Sequence, residues 1–244
     1  FFSLSPFTEG IPAIIFKRMK KNRAVYWAQD IWPESLSATG NVRAPFILNL
    51  IKLLIRSIYR DCDLILTQSR VFSSYIEREG ISPGIIRYLP NSAEELYQPL
   101  SLPEEAPEHA MMPSGFRIVF AGNIGAAQDF GTILHAAERI KNNKEIHWVI
   151  IGDGRMRSWV EEQVSIKGLS DTVHLIGRYP MEMMPRFFAL ADVLLVTLRK
   201  DPIFALTIPS KIQSYLACGK PIVAALDGEG ARVVVDSGAG RSAP

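Results

Sequence analysis

The chain is poor in the features that mark several function classes. Its 244 residues include only two cysteines, Cys62 and Cys218, far apart in sequence. That excludes a disulfide framework and fits a reducing compartment. The four histidines, His109, His135, His147 and His174, show no ligand spacing. They read as structural, and no metal site is expected. The formal net charge is only +2, which gives no bulk electrostatic case for nucleic acid. No apolar run reaches the ~18 residues that a membrane-spanning helix needs. Phe1 opens without the basic region and cleavage site of a secretory leader. Neither GxGxxG nor GxxxxGK[ST] occurs, so the nicotinamide and P-loop readings lack their motifs.

What is present reads as globular. Hydrophobic residues make up 48% and charged residues 21%, which excludes disorder. The length suits one large domain or two small ones. Both ends look cut: the chain starts inside an apolar segment and stops at SGAGRSAP, so a piece of a longer protein is expected.

Residues 116–226 organise the rest. FRIVFAG, HWVIIGDGR, HLIGRYP and ADVLLVTL are strand-like apolar runs, separated by helix-like segments. Glycine or small polar residues stand where each strand hands over to a helix. That alternation predicts an α/β fold with a parallel sheet, whose ligands bind at the C-terminal strand edges. After the first strand, Gly122 and Gly125 let backbone approach a ligand, and Asn123 and Gln128 supply hydrogen bonds. The helix start near Asp129 suits an anion. The next strand ends in Gly152, Asp153 and Gly154, with Arg155 expected to open a helix. In TIPSK, Pro209 and Ser210 suit a helix start. Lys211 falls in the first turn, where the helix dipole disfavours a cation, which makes sense if it faces a phosphate; a solvent-exposed lysine is the alternative. Glu229 follows a strand end, where a carboxylate holds sugar hydroxyls or is an ordinary loop residue.

The first half reads as an accessory domain. Lys17, Arg18, Lys20, Lys21 and Arg23 lie beside Ile14, Ile15 and Phe16. Such a pairing suits an anionic membrane surface or an ordinary helix with a solvated end. AVYWAQ is a buried strand running into DIWPES. Asp30 or Glu34 there accepts a proton or a substrate hydroxyl, or caps the next helix. Residues 44–62 predict an apolar helix with Lys52, Arg56 and Arg60 on one face, either in the core or on a membrane. DLILTQS and IIRYLPNS are further strands. The Pro- and Glu-rich segment 101–115 reads as a linker, giving domains 1–100 and 116–244.

FAGNIGAAQDF, IGDGR, LIGRYP, TIPSKIQSYLACGKPIVAA and GEGARVV, together with WAQDIWPES, resemble family 4 glycosyltransferases. The closest resemblance is to the branch that builds bacterial surface polysaccharides, including N-acetylfucosamine-type transferases. It covers nearly the whole chain. It implies the GT-B fold, two Rossmann-like domains facing across a cleft, here with an incomplete N-terminal domain. It also implies retaining transfer from a nucleotide-diphosphate sugar, such as a UDP-linked amino sugar. The acceptor would be a saccharide or a polyprenyl-diphosphate-linked saccharide. No bound metal or other cofactor and no nucleic acid are implied. The location would be cytoplasmic, with peripheral contact to the inner membrane. By the same resemblance, Gly122, Asn123 and Gln128 lie near the donor phosphates or the transfer site. Gly125 and Gly152 to Arg155 line the nucleotide pocket, Ser210 and Lys211 steady the diphosphate, and Glu229 is on the donor side. Asp30 falls where relatives place an active-site histidine or His-Asp pair.

The chain departs from the family in two respects. The usual arginine and lysine after the first strand of the second domain are missing, with Asn123 and Gln128 nearby instead. The places of the usual glutamate pair are taken by Leu206 and Ser214, and no nucleophile is assigned. Two rivals remain at this point: a non-hydrolysing sugar-nucleotide epimerase of similar fold, and an inactive nucleotide-sugar-binding fragment.

Overall fold

The computed structural model describes residues 2–3, 7–38 and 44–243. It divides into two compact units. The first comprises residues 1–91 with 201–208, and the second residues 92–200 with 209–244.

In the first unit the chain runs β1 (Phe2–Ser3), α1 (Gly10–Lys20), β2 (Val25–Ala28), α2 (Glu34–Ala38), α3 (Pro45–Asp61), β3 (Leu64–Thr67), α4 (Arg70–Arg78) and β4 (Ile86–Tyr88). The strands form a parallel sheet in the order β1-β2-β3-β4. Alternation along β2 and β3 puts Tyr26, Ala28, Ile65 and Thr67 inside, as the two-residue period of a strand requires. Phe72 and Ile76 of α4 and Ile55, Ile58 and Tyr59 of α3 complete the core. Ser69 caps α4 by accepting the Phe72 N–H at 3.2 Å, and its own hydroxyl donates to the Leu206 carbonyl at 2.9 Å.

Helix α3 divides into a buried and an exposed half. Its C-terminal half is core, while Phe46, Ile47, Leu50 and Leu53 are exposed. Lys52 and Arg56 of its charged face pair with Glu79. Helix α1 exposes a second apolar stripe, Ile11, Ile15, Phe16 and Met19. Part of its basic cluster is neutralised: Lys17 pairs with Asp63 at 2.7 Å and Arg18 with Asp61.

The second unit contains α5 (Glu108–Met111), β5 (Phe116–Ala121), α6 (Phe130–Arg139), β6 (Ile146–Ile151), α7 (Arg157–Ile166), β7 (Val173–Gly177), α8 (Met184–Ala189), β8 (Val193–Thr197), α9 (Ser210–Ala217), β9 (Ile222–Ala225), α10 (Glu229–Asp236) and β10 (Gly240–Ala243). All six strands are parallel, in the order β10-β9-β8-β5-β6-β7. The buried runs Val119–Ala121 and Trp148–Ile151 are what strands covered by helices on both faces look like.

Two expectations change here. Segment 101–115 is not a free linker, because residues from Ser92 onward belong to the second unit. Tyr97 stacks on Phe188 with centroids 6.0 Å apart, and the Glu108 carboxylate is gripped by Arg186 of α8. Conversely, residues 201–208 return to the first unit, where Ile203 and Leu206 pack on its core. After α10, residues Gly240–Ala243 supply the edge strand β10, in register with β9.

Candidate functional site

The strand order of the second unit fixes where a ligand binds. From β5 the chain moves outward to β6 and β7, then returns to the other side of β5 as β8. The reversal leaves a crevice at the C-terminal ends of β5 and its neighbours, the place where open α/β sheets take ligands.

Three turns meet there. Gly122 and Asn123 follow β5, Gly152 to Arg155 follow β6, and Arg178 and Tyr179 follow β7. Together with Ile151, Met181 and Met184 they line a cavity of roughly 860 Å³, large enough for a nucleotide-sized ligand. The turns are joined backbone to backbone. Gly122 N–H donates to the Ile151 carbonyl, Ile124 N–H to Asp153, Met156 N–H to Ile124 and Gly152 N–H to Gly177. Contact this close requires glycine. A β-carbon on Gly154 would stand 2.4 Å from the Ile124 carbonyl oxygen, and its φ is +158°. Asp153 turns its carboxylate onto the Gly154 N–H at 2.7 Å, which braces the turn. Arg155 does not open a helix as expected, since α7 starts at Arg157. Arg155 stays exposed on the turn.

Across β5 lies the start of α9. Ser210 is exposed at its first position, and the Tyr215 hydroxyl accepts the Ala121 N–H at 3.1 Å, tying this helix to the end of β5. Lys211 departs from expectation. Its amine is not open to the cavity but sealed from solvent, with no hydrogen-bond partner. Nζ lies 3.8 Å from the centre of the Phe120 ring, and 3.2 Å from the point where a β-carbon on Gly122 would stand. Burial pulls its pKa down from 10.5 to about 7. The ring face favours the charged form by ~1–2 kcal/mol, while desolvating an unpaired ammonium costs several kcal/mol. Desolvation wins.

The remaining candidates fall in three places. Gly125 and Gln128 sit on the turn beyond Asn123. A β-carbon on Gly125 would meet Asn123 Nδ2 at 2.5 Å and Gln128 Oε1 at 3.0 Å. Gln128 Oε1 is itself buried without a hydrogen bond, and the Gln128 carbonyl accepts from the Thr197 hydroxyl. Glu229 opens α10 almost fully buried, and Arg232 holds both its oxygens at 2.9 Å. Its carboxylate is therefore committed inside the protein. Asp30 belongs to the first unit, at the exit of β2. There Glu34 opens α2, with Lys52 Nζ at 3.7 Å. Ser214 is buried on α9, where its side chain hydrogen-bonds with that of Tyr97. Sequence reasoning passed over Arg178 and Tyr179 as site residues. Their signal was the same strand-glycine exit that marks the other two turns. Among the described residues no group of three or more His, Cys, Asp or Glu could hold a metal ion.

A cavity walled by backbone amides and arginines, beside a helix start carrying a lysine, suits an anionic, nucleotide-sized ligand. Residues 115–243 match the family described as glycosyl transferases group 1. The chain belongs to that family. It is also similar to the probable glycosyltransferase WbjE of Pseudomonas aeruginosa, with 28% identity over 226 residues. That match covers 90% of this chain and 56% of WbjE, so the chain spans little more than half of that relative. Among solved structures it resembles Anabaena Alr3699/HepE in complex with UDP. The TM-score is 0.76 at 15% identity, over 97% of this chain and 62% of that one. It also resembles WaaG, a glycosyltransferase involved in lipopolysaccharide biosynthesis, with a TM-score of 0.68 at 12% identity, over 93% and 66% of the two chains. At these identities the likeness concerns the fold, which is the α/β GT-B class with parallel sheets in both units.

Proposed function

We propose that this glycosyltransferase takes its sugar from a nucleotide-diphosphate donor, a UDP-linked amino sugar, and transfers it with retention during cell-surface polysaccharide synthesis. The acceptor is a saccharide or a polyprenyl-diphosphate-linked saccharide, and the reaction proceeds without a bound metal. The observation that carries this reading is the cavity of three glycine turns at the strand-order reversal, with Lys211 behind Gly122. The nucleoside occupies the β6–β7 end near Arg155 and Arg178. The diphosphate crosses Gly122 toward the first turn of α9, where Ser210, Lys211 and backbone N–H groups meet the charge that develops on the leaving group. Asn123 and Gln128 attend the transfer site, and Asp30 serves the acceptor side. A UDP complex of a similar fold, HepE, supports uridine as the base. The family match favours transfer over the epimerase alternative.

We assign the acceptor step to the cytoplasmic face of the inner membrane. The support is the pair of exposed apolar stripes on α1 and α3, with Lys20 and Lys21 exposed at the end of α1. No helix among the described residues is long and apolar enough to cross a membrane. The test is a transfer assay of the intact protein with a panel of sugar nucleotides and a polyprenyl-diphosphate-linked acceptor. Product anomers would be read by NMR. Transfer with retained configuration supports the reading. Isomerisation of the donor without acceptor, or hydrolysis alone, would overturn it.

A further inference from the structure

Lys211 is built into the second unit in an unusual way. Its amine has no solvent contact and no acceptor. One side of it is the face of Phe120, at 3.8 Å. On another side stands Gly122, whose absent side chain leaves Nζ 3.2 Å from the β-carbon position. Gly122 is at the same time part of the cavity wall. A bare glycine is therefore what separates a stored amine from the ligand space.

No charge nearby explains the amine's presence. Burial alone accounts for its depressed pKa, with no contribution from an ionised neighbour. The titratable group closest along α9 is Tyr215, whose hydroxyl is occupied by Ala121 and whose pKa burial pushes up. On the strand side, Phe120, Ala121 and Gly122 carry no ionisable group. Gln128, from the following turn, is neutral, with its Oε1 also buried and unsatisfied. An ammonium with neither counter-ion nor acceptor is disfavoured, so above pH 7 the resting site keeps the amine mostly neutral.

We propose that Lys211 is a charge held in reserve: in mildly alkaline solution it is uncharged in the empty site, and arrival of the donor diphosphate draws one proton onto it from solvent, so that donor binding and proton uptake are a single coupled event. The balance is simple. The neutral amine, a proton from bulk solvent and the dianionic diphosphate give an ammonium paired with the diphosphate. The diphosphate itself loses no proton, because a nucleotide-diphosphate sugar has no phosphate group titrating near neutrality. The amine reaches its partner by rotating off the Phe120 ring past Gly122. This inference rests on the donor-site reading above.

The consequence is a pH-dependent affinity. Above pH 7 binding must capture a proton, so affinity falls by up to about tenfold per pH unit. Below pH 7 it levels off.

The experiment is titration calorimetry of the chain with UDP-glucose, UDP-N-acetylglucosamine and GDP-mannose, near pH 8, in buffers of different ionisation enthalpy. The dependence of the observed enthalpy on that of the buffer counts the protons taken up. For wild type the expected uptake is close to one proton per sugar nucleotide bound. Lys211→Met and Lys211→Arg should both bind without uptake, the former at least tenfold more weakly. The methionine variant keeps the buried shape without the amine, so loss of folding does not confound it. Binding without uptake in wild type would overturn the coupling and leave the donor site standing. Equal uptake in Lys211→Met would also overturn it, because the proton would then go elsewhere. Binding of none of the three nucleotides would overturn the donor-site reading, and this inference with it.

Discussion

A β-carbon on Gly152 would stand 1.9 Å from the carbonyl oxygen of Gly122. The turns after β5 and β6 therefore touch backbone to backbone, and the cavity wall between them is made of main chain. Gly152→Ala should force the turns apart and destabilise the chain by ~3 kcal/mol or more, with loss of nucleotide binding. Gly168 is the control. Its φ is +63° and nothing lies within 4 Å of its β-carbon position, so Gly168→Ala should cost only ~1 kcal/mol and leave binding intact. Thermal melts of both variants check the contrast.

Lys211 also leaves a signature in stability. Its folded pKa is about 7 against an ordinary value of 10.5. Between those values the unfolded chain binds more protons than the folded one, so the lysine's penalty grows as pH falls toward 7 and is complete below it. Lys211→Met should therefore melt above wild type at pH 7. The difference should shrink as pH rises toward 10.5. A constant difference would mean the amine is not neutral when folded.

Glu108 shows the opposite sign. The Arg186 guanidinium grips its carboxylate, with one contact at 2.9 Å, and holds its pKa below the usual 4.5. Its contribution is present above the ordinary glutamate range and lost as pH falls through the depressed folded value. Glu108→Gln should lower the melting temperature at pH 7. That deficit should fade in acid, once wild type loses the same interaction.

The apolar stripes on α1 and α3 give a test of membrane contact. Phe46→Glu with Leu50→Glu, or Lys20→Glu with Lys21→Glu, should reduce binding to vesicles containing anionic lipid several-fold. Unchanged sedimentation with such vesicles would remove the membrane assignment.

Much of this was legible in the sequence, for identifiable reasons. The centres of β5, β6 and β8, at 119–121, 148–151 and 194–197, are buried parallel strand, and such strands announce themselves by short apolar runs. The glycine exits of β5 and β6 marked the cavity wall, because their close backbone contact leaves no room for a β-carbon. Other features carried no local sign. Gly240–Ala243 has no β-branched or aromatic residue, and it is a strand only because β9 offers an unpaired edge. Ile203 and Leu206 return to the first unit through packing that no periodicity records. The helix-start position of Lys211 was readable. The Phe120 ring beneath it, 91 positions earlier in the chain, was not. Glu229 looked available for a sugar hydroxyl until Arg232, one turn along α10, was seen to occupy it.

The central claim is that residues 116–240 hold a nucleotide-diphosphate sugar at the turns around Gly122. Calorimetric titration of the chain with UDP, GDP and their sugar conjugates, wild type beside Asn123→Ala and Arg178→Ala, tests it most directly. The account predicts micromolar binding of one nucleotide, weakened about tenfold by each substitution. Absence of binding to every nucleotide, or binding that neither substitution alters, would contradict it.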